Sequence, residues 1–369
     1  MIKLRNVKKI YQGQTLPAVD DLSLSIDQGE ICVLVGPSGC GKSTTLRMIN
    51  RMIEPTDGSI EIDGRNILSS NPDVLRMGIG YVIQQIGLLP HRTIAENIAI
   101  VPRLYKWPKD KIKKRVDELL EVMGLDPDKT RDKYPSQLSG GQMQRVGVAR
   151  AMAVDPSIML MDEPFGAVDP IARNRLQDEF LRLQQEIKKT IVFVTHDINE
   201  AIKMGDKIAI FNEGKIVQFG TPEEVLTYPV NKFVENFIGY DRVVKKLNLY
   251  TVQKAMNTQH CIVKTDDLFN IRSLMKGAKV ALLEGSNGEF TGYISEEELA
   301  DCTLGVEEIE NLATRKRMNY VELSTPLPDT LSLMLENDTD YVGVLDGGVF
   351  CGVISFRDIR GHVYRREGA

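Results

Sequence analysis

Ile31-Cys-Val-Leu-Val-Gly36-Pro-Ser38-Gly39-Cys40-Gly41-Lys42-Ser43-Thr44 is the stretch whose reading decides the fold. Five apolar residues, three of them β-branched, predict a strand buried on both faces, as in a sheet covered on each side. The glycine-rich turn after it, followed by a helical stretch at 44–50, fits the P-loop pattern. Glycines there let successive backbone N–H groups close around phosphate oxygens at a helix N-terminus. Gly36, Ser38, Gly39, Cys40 and Gly41 are the expected cradle, with Thr44 opening the helix. Lys42 is expected to reach the β- and γ-phosphates, and the Ser43 hydroxyl to ligate Mg²⁺.

Working outward, short β-branched runs at 79–83, 158–161, 190–194 and 207–211 alternate with longer amphipathic stretches through residue 220. That alternation predicts an α/β domain with a largely parallel sheet. A charged helical insert lies between the second and third strands, with Ile112, Val116, Leu119, Leu120 and Met123 at helical spacing. The run Ile158-Met-Leu-Met-Asp162-Glu163 ends a buried strand in two carboxylates. Asp162 is thereby delivered to the metal shell, and Glu163 sits where it can polarise water beside the γ-phosphate.

With these two motifs in place, the chain resembles the nucleotide-binding subunit of ATP-binding-cassette (ABC) transporters. The decisive residues are Leu138-Ser139-Gly140-Gly141-Gln142, which match that family's signature motif 23 residues before Asp162. Taken alone, they read as a second helix-N-terminal anion cradle. The resemblance implies that Ser139, Gly141 and Gln142 serve the ATP of the opposite subunit, two ATPs being sandwiched in a head-to-tail homodimer. It further implies that Tyr11 stacks on adenine and that Gln84 touches Mg²⁺ and water. Asp169, in Gly166-Ala-Val-Asp169, would lie on the loop crossing between subunits, where the family more often has Ser-Ala-Leu-Asp. His196, in Val194-Thr-His-Asp, would contact the γ-phosphate. On this reading Glu163 is general base or water-orienter, His196 and Gln84 complete the catalytic set, and Ser43, Gln84 and Asp162 hold the metal. The stretch from Leu88 to Asn97 is expected to dock a permease helix.

Beyond Thr221-Pro-Glu-Glu, which predicts a capped helix, and a second helix after Pro229, residues 241–248 read as a connector. An internal repeat follows. Phe290-Thr-Gly-Tyr-Ile-Ser295-Glu-Glu-Glu298 matches Phe350-Cys-Gly-Val-Ile-Ser355-Phe-Arg357-Asp358 at an offset of 60 residues. Val280-Ala-Leu-Leu-Glu is aligned with Val342-Gly-Val-Leu-Asp. Such a period marks a duplicated unit that packs against its copy, and it resembles a pair of CBS domains. The expected organisation is therefore an α/β P-loop NTPase, an ABC ATPase with a helical subdomain, at 1–240. A linker at 241–247 leads to an α+β tandem CBS module with copies at 248–304 and 312–365.

An ABC ATPase with this tail is similar to the ATP-binding subunits of quaternary-amine osmoprotectant importers, for glycine betaine, carnitine or choline. The resemblance implies ATP and Mg²⁺ as cofactors, integral-membrane permeases and an extracellular substrate-binding protein as partners, and a place on the cytoplasmic face of a bacterial membrane. In that family the CBS pair is regulatory, through ionic strength or, in some members, cyclic di-AMP. Tyr341, Ile354, Arg357 and Asp358 are the residues expected to meet such a nucleotide. Basic runs at 315–317 and 365–366 are candidates for sensing ionic strength. The alternative is an importer ATPase for an amino acid, polyamine or sugar with a purely structural CBS tail, although the repeat speaks against the barrel tail of such importers.

Charge and composition agree with this frame. The 369 residues carry a net charge of −5, held wholly in residues 244–369, where 14 basic residues face 19 acidic ones. An acidic tail behind a neutral body argues against a nucleic-acid polymer as partner. Absence of a coiled-coil insert or basic linker speaks against a soluble ABC ATPase of DNA repair or translation. No apolar run reaches the roughly 18 residues of a spanning helix, and the N-terminus has no signal-peptide core. Five scattered cysteines without paired spacing predict reduced thiols, with neither disulfide nor zinc site.

Overall fold

The computed structural model describes residues 2–83, 87–166, 168–285, 290–301, 306–314 and 318–364. The chain divides into two compact units, Met1–Tyr240 and Asp241–Ala369.

In the first unit, a six-stranded sheet runs in the order Lys215–Gly220, Lys207–Asn212, Ile31–Val35, Thr190–Thr195, Ile158–Asp162, Ile79–Val82. All neighbours are parallel except the first pair. Every residue of Ile31–Val35 and Ile158–Asp162 is buried, the condition of a parallel sheet covered on both faces. The strand expected at 158–161 runs one residue further, so Asp162 ends it under sheet hydrogen bonds. A four-stranded antiparallel sheet, in the order Val19–Ile26, Ile2–Lys9, Asp57–Ile62, Arg65–Asn66, was not expected from the sequence. Leu34, Leu160, Val192 and Val194 share one core with Ile2, Leu4 and Ile60 of that second sheet, and with Leu46, Met48 and Ile49 of the P-loop helix Lys42–Ile49. The helix is thus held between two sheets, which fixes its N-terminus.

The expected helical insert lies between Ile79–Val82 and Ile158–Asp162. Its helix Lys109–Val122 buries Val116, Leu119 and Leu120, the face the spacing predicts. Downstream, Thr221 and Glu224 form a reciprocal capping box on Pro222–Thr227, and Asn231 caps Lys232–Ile238.

The second unit holds two three-stranded sheets of the same plan, a parallel pair followed by an antiparallel hairpin. One is His260–Lys264, Val280–Glu284 and Phe290–Ser295; the other is Asn319–Glu322, Tyr341–Asp346 and Val349–Ser355. Val280, Leu282 and Tyr293 of the first copy pack with Met318 and Val353 of the second, and Phe290, Tyr341 and Phe350 join them. The copies therefore bury their apolar faces against each other.

Two expectations are corrected here. Ser295 pairs with Val280 while its equivalent Ser355 pairs with Tyr341. Val280-Ala-Leu-Leu-Glu is thus equivalent to the five residues starting at Tyr341, one position earlier than the sequence alignment placed them. A one-residue slip matters because it exchanges the two faces of a strand. The segment read as a connector forms the helix Arg242–Leu247, and Leu247, Tyr250 and Val252 enter the core of the second copy with Val342 and Val344.

Candidate functional site

The P-loop closes on itself through Lys42, whose side chain is almost wholly buried. Its ammonium donates to the carbonyl oxygens of Gly36 and Pro37, each at 2.7 Å, and lies 3.5 Å from the Cys40 sulfur. The loop needs glycine at position 41 for two reasons. Its φ is +105°, and a Cβ there would stand 2.5 Å from the Ala18 carbonyl oxygen. Gly39 has φ +78° but open space around its Cβ position. Gly41→Ala is therefore expected to cost about 2–4 kcal/mol of stability and to abolish ATP binding. Gly39→Ala carries only the backbone term, about 1 kcal/mol. Denaturant unfolding of the two variants checks this; equal losses would contradict it.

Across from the loop, the Ser43 hydroxyl donates to Asp162 Oδ1 at 2.9 Å. Burial pushes the Asp162 carboxyl above its usual range, with the Ser43 hydrogen bond opposing the shift. A hydroxyl and a carboxylate brought together at a strand end are hard oxygen donors of the kind Mg²⁺ accepts, so the residues present fit that ion. The next residue, Glu163, leaves the strand with φ +47°, a left-handed conformation rare for a residue with a long side chain. Its N–H donates to the Val194 carbonyl at 2.9 Å. Its Oε1 lies 3.3 Å from His196 Nδ1. The structure thus brings Lys42, Ser43, Asp162, Glu163 and His196 together at the C-terminal ends of neighbouring parallel strands, where open α/β sheets bind ligands.

Tyr11 lies beside the P-loop helix, its hydroxyl 3.3 Å from Thr44 Oγ1, with the Lys9 ammonium 5.5 Å from its ring centre. Ser139 is the N-cap of the helix Gly140–Ala151 and shares a capping box with Gln142. The Gln142 side-chain oxygen accepts from Ser139 N–H at 3.0 Å, so that arm is turned back to the helix start. Asp169 is exposed just before the helix Pro170–Ile187, and its carbonyl accepts from Arg173 N–H. Gln84 lies outside the described residues, as do the basic runs at 315–317 and 365–366; the adjacent Gly87 carbonyl is held by Arg150 at 2.7 Å.

Four residues around His196 were missed in the sequence. Glu200 is 7% exposed, and its carboxylate accepts from the Thr195 hydroxyl at 2.6 Å and from Gln177 Nε2 at 3.2 Å. Arg173 Nε stands 3.9 Å from the same carboxylate. The available signal was a lone acid among Ile198, Ala201, Ile202 and Met204, all buried on that short helix.

In the second unit, Ser295, Asp340, Tyr341, Phe356, Arg357 and Arg360 line a groove of 270 Å³. Tyr341 meets Tyr293 edge-on at 5.7 Å, and Arg357 pairs with Glu297 at 2.6 Å. One expected ligand residue is corrected. Ile354 is fully buried among Val342, Val344 and Leu327, because its position in the central hairpin points it into the core. Asp358 shares a capping box with Ser355: its Oδ2 accepts from Ser355 N–H and hydroxyl and from Asn257 Nδ2, its N–H donates to the Ser355 hydroxyl, and its Oδ1 lies 3.7 Å from Lys279 Nζ. Glu298 makes the same bonds to Ser295 in the first copy.

Comparison with known proteins follows the same division. The ABC transporter family model matches residues 19–166, and the CBS domain model matches residues 306–365. The carnitine transport ATP-binding protein OpuCA of Listeria monocytogenes is 46% identical over 354 residues, covering 94% of this chain and 87% of that protein. The glycine betaine/carnitine/choline transport ATP-binding protein OpuCA of Bacillus subtilis is 46% identical over 350 residues, covering 94% and 91%. Among solved structures, the dimeric post-hydrolysis state of the ATP-binding cassette MJ0796 with ADP and Pi matches with a TM-score of 0.55 at 36% identity. It covers 60% of this chain and 99% of that one.

Proposed function

The chain belongs to the ABC transporter family as an ATP-binding subunit, and from that premise we propose that it energises a bacterial importer of glycine betaine, carnitine or choline. The observation that carries the ATPase is the meeting of Ser43 with Asp162, and of Glu163 with His196, at one sheet end beside the Lys42 loop. Relatedness over nearly the whole length, tail included, supports the osmoprotectant class.

In this mechanism the P-loop N–H groups and Lys42 hold the ATP phosphates, and Tyr11 stacks on adenine. Glu163 holds and deprotonates the attacking water, and His196 keeps Glu163 and the γ-phosphate in line. Ser43 and Asp162, with Gln84, would hold Mg²⁺, which when bound neutralises charge on the β- and γ-phosphate oxygens. Ser139, Gly141 and Gln142 of a second copy close the site from the far side, with Asp169 at the crossing, so the working unit is a homodimer.

No helix among the described residues is long and apolar enough to cross a membrane. As the ATP-binding subunit of such an importer, the chain would associate with the membrane through permease subunits, on the cytoplasmic face. A cavity of 520 Å³ is lined by Ala95 and Glu96 of the stretch expected to dock a permease helix, with Ala99, Trp107 and Ile112 and a rim of charged residues such as Arg103, and it supports that placement. In the tail, the Tyr341–Arg357 groove offers an aromatic ring and a guanidinium to a regulatory nucleotide such as cyclic di-AMP.

Uptake of radiolabelled glycine betaine, carnitine and choline, in cells whose only such importer contains this chain, tests the reading. At least one of the three is expected to accumulate under hyperosmotic stress, together with an extracellular binding protein. Accumulation of an amino acid, polyamine or sugar in their place would overturn the solute class. Calorimetry of the full chain with cyclic di-AMP, AMP and ATP, comparing Arg357→Ala, tests the groove; heats unchanged by that substitution would remove it.

A further inference from the structure

His196 is largely exposed, so its own packing does not aim it. What surrounds it does. The Thr195 hydroxyl donates to Glu200 Oε2 at 2.6 Å and accepts from Asp197 N–H at 3.1 Å, bracketing His196 from both sides. The other oxygen of Glu200 faces the helix Pro170–Ile187, where Gln177 Nε2 donates to it at 3.2 Å and Arg173 Nε stands at 3.9 Å. Arg173 Nε is buried and has no hydrogen-bond partner among the described residues. The far end of the same guanidinium donates to the Val168 carbonyl at 3.0 Å, in the loop that runs from Glu163 to Asp169. Hydrogen bonds thus join Thr195 to Glu200 and Arg173 to Val168, and a 3.9 Å ion pair bridges Glu200 and Arg173.

A buried carboxylate is a poor way to stabilise a core, since well-packed apolar residues commonly do as well or better. Burial pushes the Glu200 carboxyl upward, against the Thr195 hydrogen bond that favours its charged form. The cost of keeping it suggests a geometric role. We propose that Glu200 is a positioning residue that locks the His196 turn to the Val168 loop through Thr195 and Arg173. A displacement at either end is then felt at the other. This rests on the roles given above to His196 and to the loop ending at Asp169.

The test is steady-state ATP hydrolysis by the full chain, with turnover expressed per ATP-binding site. Glu200→Gln keeps the size of the side chain but removes its charge and one acceptor. Arg173→Gln alters a partly exposed residue and so guards against simple misfolding. Each is expected to lower kcat at least tenfold, on the scale by which small misplacements cost rate, with KM for ATP within about twofold of the parent. The double variant is expected to be no slower than the slower single variant. Parental kcat per site in Glu200→Gln, KM and kcat changing together, or losses that multiply in the double variant would each overturn the proposal. His196→Ala run alongside separates the two levels. If it keeps parental turnover, the reading of the ATP site fails; if it is inactive while Glu200→Gln is not, only the coupling fails.

Discussion

Glu163→Gln is expected to slow ATP hydrolysis by about 10³-fold, within the range removed with a general base, while MgATP binding stays within about twofold. The argument begins in the backbone. The left-handed φ of +47° at Glu163, and its N–H bond to Val194, turn the side chain out of the sheet toward His196. An amide of the same shape keeps the packing and the hydrogen bonding of one oxygen, yet it cannot accept a proton from water. The lesion should therefore appear in phosphate release during a single turnover and leave nucleotide affinity intact. With hydrolysis blocked, ATP remains between two signature helices, so the variant is expected to elute as a dimer in MgATP and as a monomer without nucleotide. Phosphate release at the parental rate would remove Glu163 from the chemistry.

The meeting of Lys42, Ser43, Asp162, Glu163 and His196 was legible because their motifs are local: a loop and two strand ends each lie within a few residues of sequence. Ile31–Val35 read as buried because all five of its residues are apolar, and all five are buried. What escaped was set by contacts between distant segments. Glu200 sits only four residues after His196, but its partners Gln177 and Arg173 lie 23 and 27 residues earlier, on the helix Pro170–Ile187. The antiparallel sheet beginning at Ile2 carries a broken alternation, with bulges between Leu4 and Val7 and between Val7 and Lys9, which weakens its period-two signal. In the tail, residue identity misled. Ile354 is expected from the resemblance to meet a nucleotide, whereas the hairpin register turns it into the core. Asp358 opens a helix in Ser-x-x-Asp, and that spacing is also that of a reciprocal cap.

Lys42→Ala is expected to abolish most of the stabilisation that MgATP confers while leaving the stability of the free protein little changed. In the structure the buried ammonium donates to two loop carbonyls at 2.7 Å each. Removing it relieves the desolvation cost of a buried charge but leaves those carbonyls without that donor, at about 1–3 kcal/mol for a buried group. The two effects oppose each other, so the unfolding midpoint without nucleotide should move only slightly. Binding has no such compensation, because the ammonium is the side-chain cation assigned to the β- and γ-phosphates. A loss of about 100-fold in affinity corresponds to about 2.7 kcal/mol. At a ligand concentration 1,000 times the parental Kd, the parent gains about 4.1 kcal/mol from binding. The variant, then at only about ten times its own Kd, gains about 1.4 kcal/mol by the same relation. Denaturant unfolding with and without MgATP should thus show the nucleotide-dependent gain falling to about a third. A gain of parental size in Lys42→Ala would mean that the backbone cradle alone binds the phosphates, and that the buried lysine serves only to close the loop.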